Sequence, residues 1–223
     1  MIFKNLLRRK GRTILTVLGI SIGVAAIVAL GALANGLQAG YDSFLTGSKA
    51  DLVLSQPDAI DVSMSAVDIS VGSELENMSE VEDVSAMLQG LVQTESVPYF
   101  FVFGYPEDSF IIDRFKIVEG YALNSREAQQ ARGKPALIGS STAETLEKSP
   151  GDTIRITESV FRIVGIYETG EGLEDSGAVL RLQDAQQLLG RQHQASLFYI
   201  QLKDTQLADR VQRRVERRWP DLS

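Results

Sequence analysis

The sequence predicts an α+β protein: one N-terminal transmembrane helix followed by a mixed α/β domain outside the cytoplasm. No charged residue lies between Thr13 and Tyr41. Five basic residues precede this stretch, whereas all 29 acidic residues of the chain follow it. After Tyr41, segments with the alternation typical of strands are mixed with short segments that have helical spacing. The chain therefore divides into a basic head, an apolar helix and an acidic body.

The composition excludes several kinds of site. The 223 residues include no Cys and a single His, His193, so a disulfide framework, a thiolate zinc site and a cysteine nucleophile are excluded. A net charge of −7 argues against nucleic acid as a partner. Gly133 and Lys134 lack the preceding glycine of a phosphate-binding loop. We therefore predict no enzymatic activity, no catalytic residue, no cofactor and no metal site.

The apolar stretch predicts an uncleaved membrane anchor at residues 13–37. Its core, residues 14–34, is long enough for the about 20 residues that cross a ~30 Å hydrocarbon layer. A buried helix of a soluble protein is the alternative, but such helices rarely stay uncharged for so long. A cleaved signal peptide is another, because Ala32-Leu33-Ala34 resembles a cleavage site. Signal peptides have a shorter apolar region, of about 7–15 residues.

The head, residues 1–12, is predicted to stay in the cytoplasm, which places the body outside it. Positive charge that flanks a membrane helix marks the cytoplasmic side. The head also has apolar residues that can share one helical face, so it is predicted to lie on membrane lipid, although a plain charged flank is an equal alternative. The predicted cytoplasmic anchor residues are Lys4, Arg8, Arg9, Lys10 and Arg12.

Small residues in the anchor predict contact with another helix. Rows of Gly, Ala and Ser at four-residue spacing let two helix backbones approach closely. Ordinary use of Gly and Ala in membrane helices is the alternative, at even odds. Gly19, Gly23 and Gly31 form one row, and Ser21, Ala25 and Ala29 form another.

The first half of the body predicts a helix that continues from the membrane toward Phe44, and then mainly strands. Alternation predicts a strand at residues 51–55, and residues 81–94 are also strand-like. The aromatic run at 97–103 is predicted to be a core strand. Residues 73–78 are predicted to form a short helix, with Ser73 as its N-cap and Glu76 three residues later.

The second half predicts strands and short helices in alternation. A final helix follows Asp204 or Thr205, with Leu207, Val211 and Val215 on one face. The remaining helices are predicted at residues 125–132, 141–147 and 183–189. The remaining strands are predicted at residues 136–139, 153–157, 160–167, 178–182 and 196–202.

Two charged segments of the body have open interpretations. The acids of the loop at residues 170–177, together with Glu168, could bind Ca²⁺, but their spacing matches no EF-hand, so a solvated acidic loop is predicted. The last helix is rich in arginine, which indicates a solvated face or, less often, a docking face for a partner. The acids are Glu168, Glu171, Glu174 and Asp175, and the arginines are Arg210, Arg213, Arg214, Arg217 and Arg218.

The order of several motifs resembles the MacB/FtsX-type ABC transporter permeases. The start, FKNLLRRKGRTILTVLGISIGVAAIVAL, is similar to the beginning of such a permease. Residues 115–121 (FKIVEGY) resemble the "F…EGR" motif of the family, with Tyr121 in place of the usual Arg. Residues 135–146 (PALIGSSTAETL) and 151–165 (GDTIRITESVFRIVG) resemble a strand–helix segment and a hairpin that follow it. The resemblance covers essentially the whole chain.

This resemblance implies a MacB-like core domain at residues 38–223. It would consist of a porter-like subdomain and an inserted β-rich subdomain at about 116–180, with residues 35–47 as part of a stalk. It also implies a permease in the inner membrane whose partners are a separate ABC ATPase subunit and a second permease protomer. ATP hydrolysis would drive conformational change outside the cytoplasm, called mechanotransmission, for efflux of drugs or peptides or for lipoprotein release.

One departure from the family keeps a second hypothesis open. The family has three further membrane helices after its core domain, and this sequence ends at Ser223. We therefore expect the N-terminal portion of a permease. The alternative is a single-pass, membrane-anchored interaction domain without transport activity.

Overall fold

The computed structural model describes residues 10–47, 49–94, 97–170 and 172–223. It contains two compact units, which divide between Phe44 and Leu45 and are described separately. Lys4, Arg8 and Arg9 of the predicted head lie outside the described residues.

The first unit is built on one long helix, α1, at Lys10–Gly47. Its 38 residues include no Pro, and a rise of 1.5 Å per residue gives a length of about 57 Å. Residues Ile14–Gly36 are long and apolar enough to cross a membrane, and their side chains are exposed. Exposed apolar side chains along the whole span are expected where lipid, rather than water, surrounds a helix.

The second unit is the body, which contains a large mixed sheet. Among the described residues, nine strands form this sheet, and β2 and β10 pair separately. The strands are β1 Leu52–Leu54, β2 Val67–Asp68, β3 Val81–Val92, β4 Phe100–Tyr105, β5 Lys116–Gly120, β6 Lys134–Gly139, β7 Thr153–Ile156, β8 Ser159–Glu168, β9 Gly177–Arg181, β10 Gln194–Ala195 and β11 Leu197–Leu202.

Short helices connect these strands. Single 3₁₀ turns lie at Val62–Met64, Ile112–Arg114 and Thr205–Leu207. The α-helices are α2 Ser70–Glu76, α3 Arg126–Gln130, α4 Ser140–Leu146, α5 Gly172–Asp175, α6 Leu182–Leu189 and α7 Ala208–Arg218.

The strand order is β1-β11-β3-β4-β9-β6-β8-β5, and β7 pairs with β8 beside β5. The pairs β4–β9 and β6–β8 are parallel, and the other pairs are antiparallel. Four strands that are close in sequence, β5 to β8, therefore form one end of the sheet. We refer to residues 116–168 as the β5–β8 module.

One face of the sheet carries two apolar clusters. Core cluster one includes Val102, Ile138 and Phe161, and packs against leucines of α4 and α6. Core cluster two includes Phe198 and Val211, and packs against α2 and α7. The prediction of one apolar helix followed by a mixed α/β domain is confirmed. The boundaries of the insert stay a prediction, since one continuous sheet passes through both clusters.

The predicted start of the first short helix of the body is wrong. Helix α2 begins at Ser70, three residues before the predicted cap Ser73. The carboxylate of Asp68 accepts hydrogen bonds from the Ser70 backbone N–H at 2.8 Å and from its hydroxyl at 2.6 Å. These hydrogen bonds lower the pKa of Asp68. A charged acceptor makes a stronger hydrogen bond than a hydroxyl, so the helix starts beside Asp68.

The helix start predicted at Ser125 is confirmed, because its hydroxyl accepts a hydrogen bond from the Ala128 N–H at 3.1 Å and caps α3. The start of the last helix is shifted. Asp204 accepts from the Gln206 N–H at 2.9 Å and caps the 3₁₀ turn Thr205–Leu207, whereas α7 itself begins at Ala208. Of the three residues predicted to share its apolar face, Val211 and Val215 are buried and Leu207 lies in the turn.

The aromatic strand predicted at residues 97–103 begins three residues later in the structure. Strand β4 starts at Phe100, after Pro98 and the exposed Tyr99. Pro98 has no N–H to donate to a neighbouring strand, which explains the delay.

Candidate functional site

The predicted helix-packing residues lie on an uncovered surface of α1. Among the residues that the structure describes, no atom outside the local helix lies within 4 Å of a Cβ added at Gly19, Gly23 or Gly31. Ser21, Ala25 and Ala29 line a shallow groove along the same helix. Lys10 and Arg12 belong to the start of α1, but their side chains are outside the described part of the structure. The packing and anchor roles of these residues stay predictions.

The prediction that the acidic loop is solvated is wrong for two of its four acids. Residues 172–175 form the short helix α5, and there Glu174 is 2% exposed and Asp175 is 6% exposed. Glu168 is half-exposed and lies 3.9 Å from Lys116, and Glu171 is outside the described residues. No cluster of three potential metal ligands occurs in the described part of the chain.

The buried Glu174 forms an ion pair with Arg114. Arg114 ends the 3₁₀ turn that precedes β5, and its Nη2 contacts Glu174 Oε1. The two side chains are 11% and 3% exposed. Glu174 Oε2 has no hydrogen-bond partner among the residues that the structure describes. The pair thus combines strong attraction with incomplete hydrogen bonding.

Aromatic rings surround this ion pair. The Phe115 ring packs edge-to-face on Tyr105, at 5.7 Å between centroids, and on Tyr167, at 5.0 Å. The Arg114 guanidinium lies 5.0 Å from the centroid of the same Phe115 ring. The Tyr167 hydroxyl donates to the Glu174 backbone carbonyl at 2.6 Å. We call these five residues (Tyr105, Arg114, Phe115, Tyr167 and Glu174) the junction cluster.

The two tyrosines of the junction cluster are held in the neutral form. Burial raises the pKa of Tyr105, although the Arg114 guanidinium opposes this shift. Burial raises the pKa of Tyr167 well above its ordinary value, and the negative charge of Asp175 raises it further. The cluster can therefore accommodate one negative charge, on Glu174, beside its single cation.

Asp175 and Gly139 fix the backbone next to Glu174. The Asp175 carboxylate accepts from the Thr169 N–H and hydroxyl, both at 2.8 Å, and from the Gly170 N–H at 3.1 Å. Gly139, at the end of β6, lies directly against the Asp175 backbone, where an added Cβ would be 2.1 Å from the carbonyl oxygen. The segment that carries Glu174 is thus held from both sides.

The junction cluster lies where the chain enters and leaves the β5–β8 module. Arg114 and Phe115 come directly before β5, and Glu174 lies between β8 and β9. Sequence analysis did not identify Arg114, which is 60 residues from Glu174. No local pattern around either residue indicates the pairing.

Raising the pH above about 10 is expected to destabilise the body through the junction tyrosines. Burial raises the pKa of each tyrosine in the folded protein above its value in the unfolded chain. Below the unfolded-state pKa the free energy of unfolding is unaffected, and it falls as the pH rises from that value toward the folded-state pKa. Between the two values, each tyrosine should cost about 1.4 kcal/mol per pH unit. Urea unfolding at pH 9, 10 and 11, followed by the fluorescence of the single Trp219, measures this slope.

Tyr167→Phe is expected to lower that slope by about 1.4 kcal/mol per pH unit. Tyr99→Phe is the matched control, because Tyr99 is 72% exposed. Equal slopes for the two variants would contradict the prediction.

The comparisons with known proteins agree with this fold. Residues 13–218 match the family described as the MacB-like periplasmic core domain. An uncharacterized ABC transporter permease of Methanocaldococcus jannaschii is 24% identical over 228 residues, which cover 96% of this chain and 56% of that protein. The macrolide export ATP-binding/permease protein MacB of Chlorobium luteolum is 25% identical over 220 residues, covering 88% of this chain and 32% of that protein. The chain thus spans about a third to a half of these relatives.

Two solved structures share the fold. The periplasmic region of MacB from Actinobacillus actinomycetemcomitans aligns with a TM-score of 0.59 at 13% identity, over 77% of this chain and 86% of that one. The extracellular domain of the noncanonic ABC-type transporter YknZ from Gram-positive bacteria aligns with a TM-score of 0.55 at 14% identity, over 71% and 86% of the two chains.

Proposed function

The chain belongs to the family of ABC transporter permeases with a MacB-like periplasmic core domain, and on that premise we propose that it is the N-terminal portion of a permease subunit. In this proposal, a separate ABC ATPase hydrolyses ATP, and the permease converts this into conformational change of the extracytoplasmic body. The observation that supports it best is the extent of the family match, residues 13–218, which includes the membrane helix as well as the body.

We propose that residues 1–12 are cytoplasmic, 13–37 span the membrane and 38–223 form the extracytoplasmic core, with an insert at about 116–180. The charge distribution supports this orientation. Helix α1 continues without interruption to Gly47, and only four residues separate it from β1. In this short connection, the Asp51 carboxylate accepts from the Leu202 N–H at 2.7 Å, which attaches the connection to β11.

Distance measurements between two copies of the protein would test the proposed coupling. The chain has no Cys, so one introduced at the exposed Gln129 of α3 gives a single labelling site. This single-cysteine protein would be spin-labelled in membranes together with its ATPase. We expect the distance between labels to change when ATP is added and to return after hydrolysis. An unchanged distance, with the ATPase bound and active, would refute the coupling; failure of any ABC ATPase to co-purify would favour the anchored interaction domain.

Replacing Gly23 by Leu is expected to weaken association of α1 with another membrane helix about tenfold, or roughly 1.4 kcal/mol. The larger side chain would separate two backbones that approach at Gly19 and Gly23. Association in a bacterial membrane two-hybrid assay, calibrated by expression level, measures the effect. Ile22→Leu, which keeps the side-chain volume and lies outside both rows of small residues, is the control. Association equal to that of the unmodified chain would contradict the packing role.

A further inference from the structure

The geometry of the junction cluster points to a conformational device: we propose that the Arg114–Glu174 ion pair is a latch that holds the β5–β8 module to the rest of the sheet. The two residues lie on the two chain segments that connect the module to the remainder of the body, residues 106–115 and 169–176. Their ion pair holds these two segments together. The module can move relative to the rest of the sheet only when this pair breaks or changes its geometry.

Backbone pairing between the module and the other strands is limited. Strand β6 pairs with β9 over three residue pairs, from Ala136 to Ile138. Among the described residues, a single bridge from Ile156 to Thr94 adds to this pairing. Within the module, by contrast, β8 pairs with β5, β6 and β7. The β6–β9 line is therefore the weakest backbone connection along this part of the sheet.

The latch and core cluster one lie on opposite faces of that line. Successive residues of a strand point to opposite faces. Val102 faces core cluster one, as does Gly104, where an added Cβ would contact Ala185 of α6. Tyr105 therefore points to the other face, where it meets Phe115. Apolar packing holds one face, and the ion pair fixes the other.

An ion pair suits a latch better than a purely stabilising role. Removing two charges from water is costly, and an apolar pair of similar volume is often as stable. Here the cost is increased by Glu174 Oε2, which lacks a hydrogen-bond partner in the described structure. What the pair adds is a constraint on orientation, because a charge-assisted hydrogen bond weakens when the angle at the donor changes as well as when the distance grows. The latch depends on the proposed function in one respect only: the force that would open it is the ATP-driven motion of α1.

A distance measurement across the β6–β9 line tests the latch without any nucleotide or ATPase. Glu158, in the turn between β7 and β8, and Gln206, before α7, are exposed, and cysteines at both positions would be the only ones in the chain. The full chain in lipid nanodiscs would be spin-labelled at these positions, and pulsed EPR would give the distance distribution. We expect one narrow distribution for the unmodified latch. For Glu174→Gln, we expect at least a twofold wider distribution or a second distance.

The matched control is Glu80→Gln. Glu80 is also a buried carboxylate, paired with Arg214 at 3.1 Å, but it lies far in sequence from the module. We expect Glu80→Gln to leave the width unchanged. Arg114→Lys keeps the positive charge but loses the planar guanidinium, so it should give a distance distribution of intermediate width. It replaces Glu174→Gln as the test variant if that protein does not fold.

An unchanged width in Glu174→Gln, or in Arg114→Lys where that variant replaces it, would overturn the latch. Equal widening in Glu80→Gln would also overturn it, because general loosening would then explain the result. Neither outcome bears on the assignment as a permease, and failure to find an ATPase partner would leave the latch intact.

Discussion

Phe115→Ala is expected to destabilise the body by about 4 kcal/mol, within the range of roughly 3–5 kcal/mol for removing a buried phenylalanine. Phe115 is 4% exposed and contacts the rings of Tyr105 and Tyr167 as well as the Arg114 guanidinium. Its removal leaves a cavity and takes away one wall of the buried ion pair. Urea unfolding, followed by Trp219 fluorescence, measures the loss.

Phe101→Ala is the control for this prediction. Phe101 lies on the same face of the sheet, is only half-buried, and stacks on Phe103 at 6.3 Å. Partial burial should limit its cost to about 1–2 kcal/mol. Similar losses for Phe101→Ala and Phe115→Ala would contradict a special role for the ring at the junction.

The parts of the fold that depend on local periodicity could be predicted from the sequence. The uncharged stretch before Tyr41 indicated a long helix, and the alternation in residues 51–55 indicated β1. Side-chain direction alternates along a strand and repeats about every 3.6 residues in a helix, so a buried face is visible in the sequence. The ends of these elements were less accurate, because neighbouring acceptors such as Asp68 determine where a helix starts.

The junction cluster could not be predicted in this way. Residues 170–177 are rich in Gly and acids, and such a composition is typical of solvated loops. Glu174 is buried because Arg114, 60 residues earlier, neutralises its charge. Only the tertiary fold brings these two residues together, so no window of neighbouring residues contains the information.

The helix-packing residues are the opposite case. Gly19 and Gly23 were singled out from spacing alone, and among the described residues no atom outside the local helix lies within 4 Å of a Cβ added at either position. Their proposed partner is another helix, so the chain by itself provides no contact that could test the role. The sequence thus predicts a site between molecules, whereas the structure shows a cluster within the body.

Gly139→Ala is expected to destabilise the body by about 3 kcal/mol, the upper part of the usual range for inserting a methyl group into a packed site. The added Cβ would lie 2.1 Å from the Asp175 carbonyl oxygen and 2.6 Å from its Cα. These are backbone atoms, so the clash can be relieved only by moving the segment that carries Glu174. For a chain of this size, the loss corresponds to a thermal midpoint about 6–12 °C lower.

The substitution should also disturb the latch, because Asp175 is the neighbour of Glu174 in the chain. Gly172→Ala is the matched control: it begins the same short helix, and none of the atoms that the structure describes lies within 4 Å of the added Cβ. It should be neutral or slightly stabilising, since Ala favours helix more than Gly by about 1 kcal/mol. Differential scanning calorimetry of both variants in nanodiscs measures the difference. A Gly139→Ala midpoint within 2 °C of the Gly172→Ala midpoint would show that the segment yields at little cost, and that Gly139 does not fix its position.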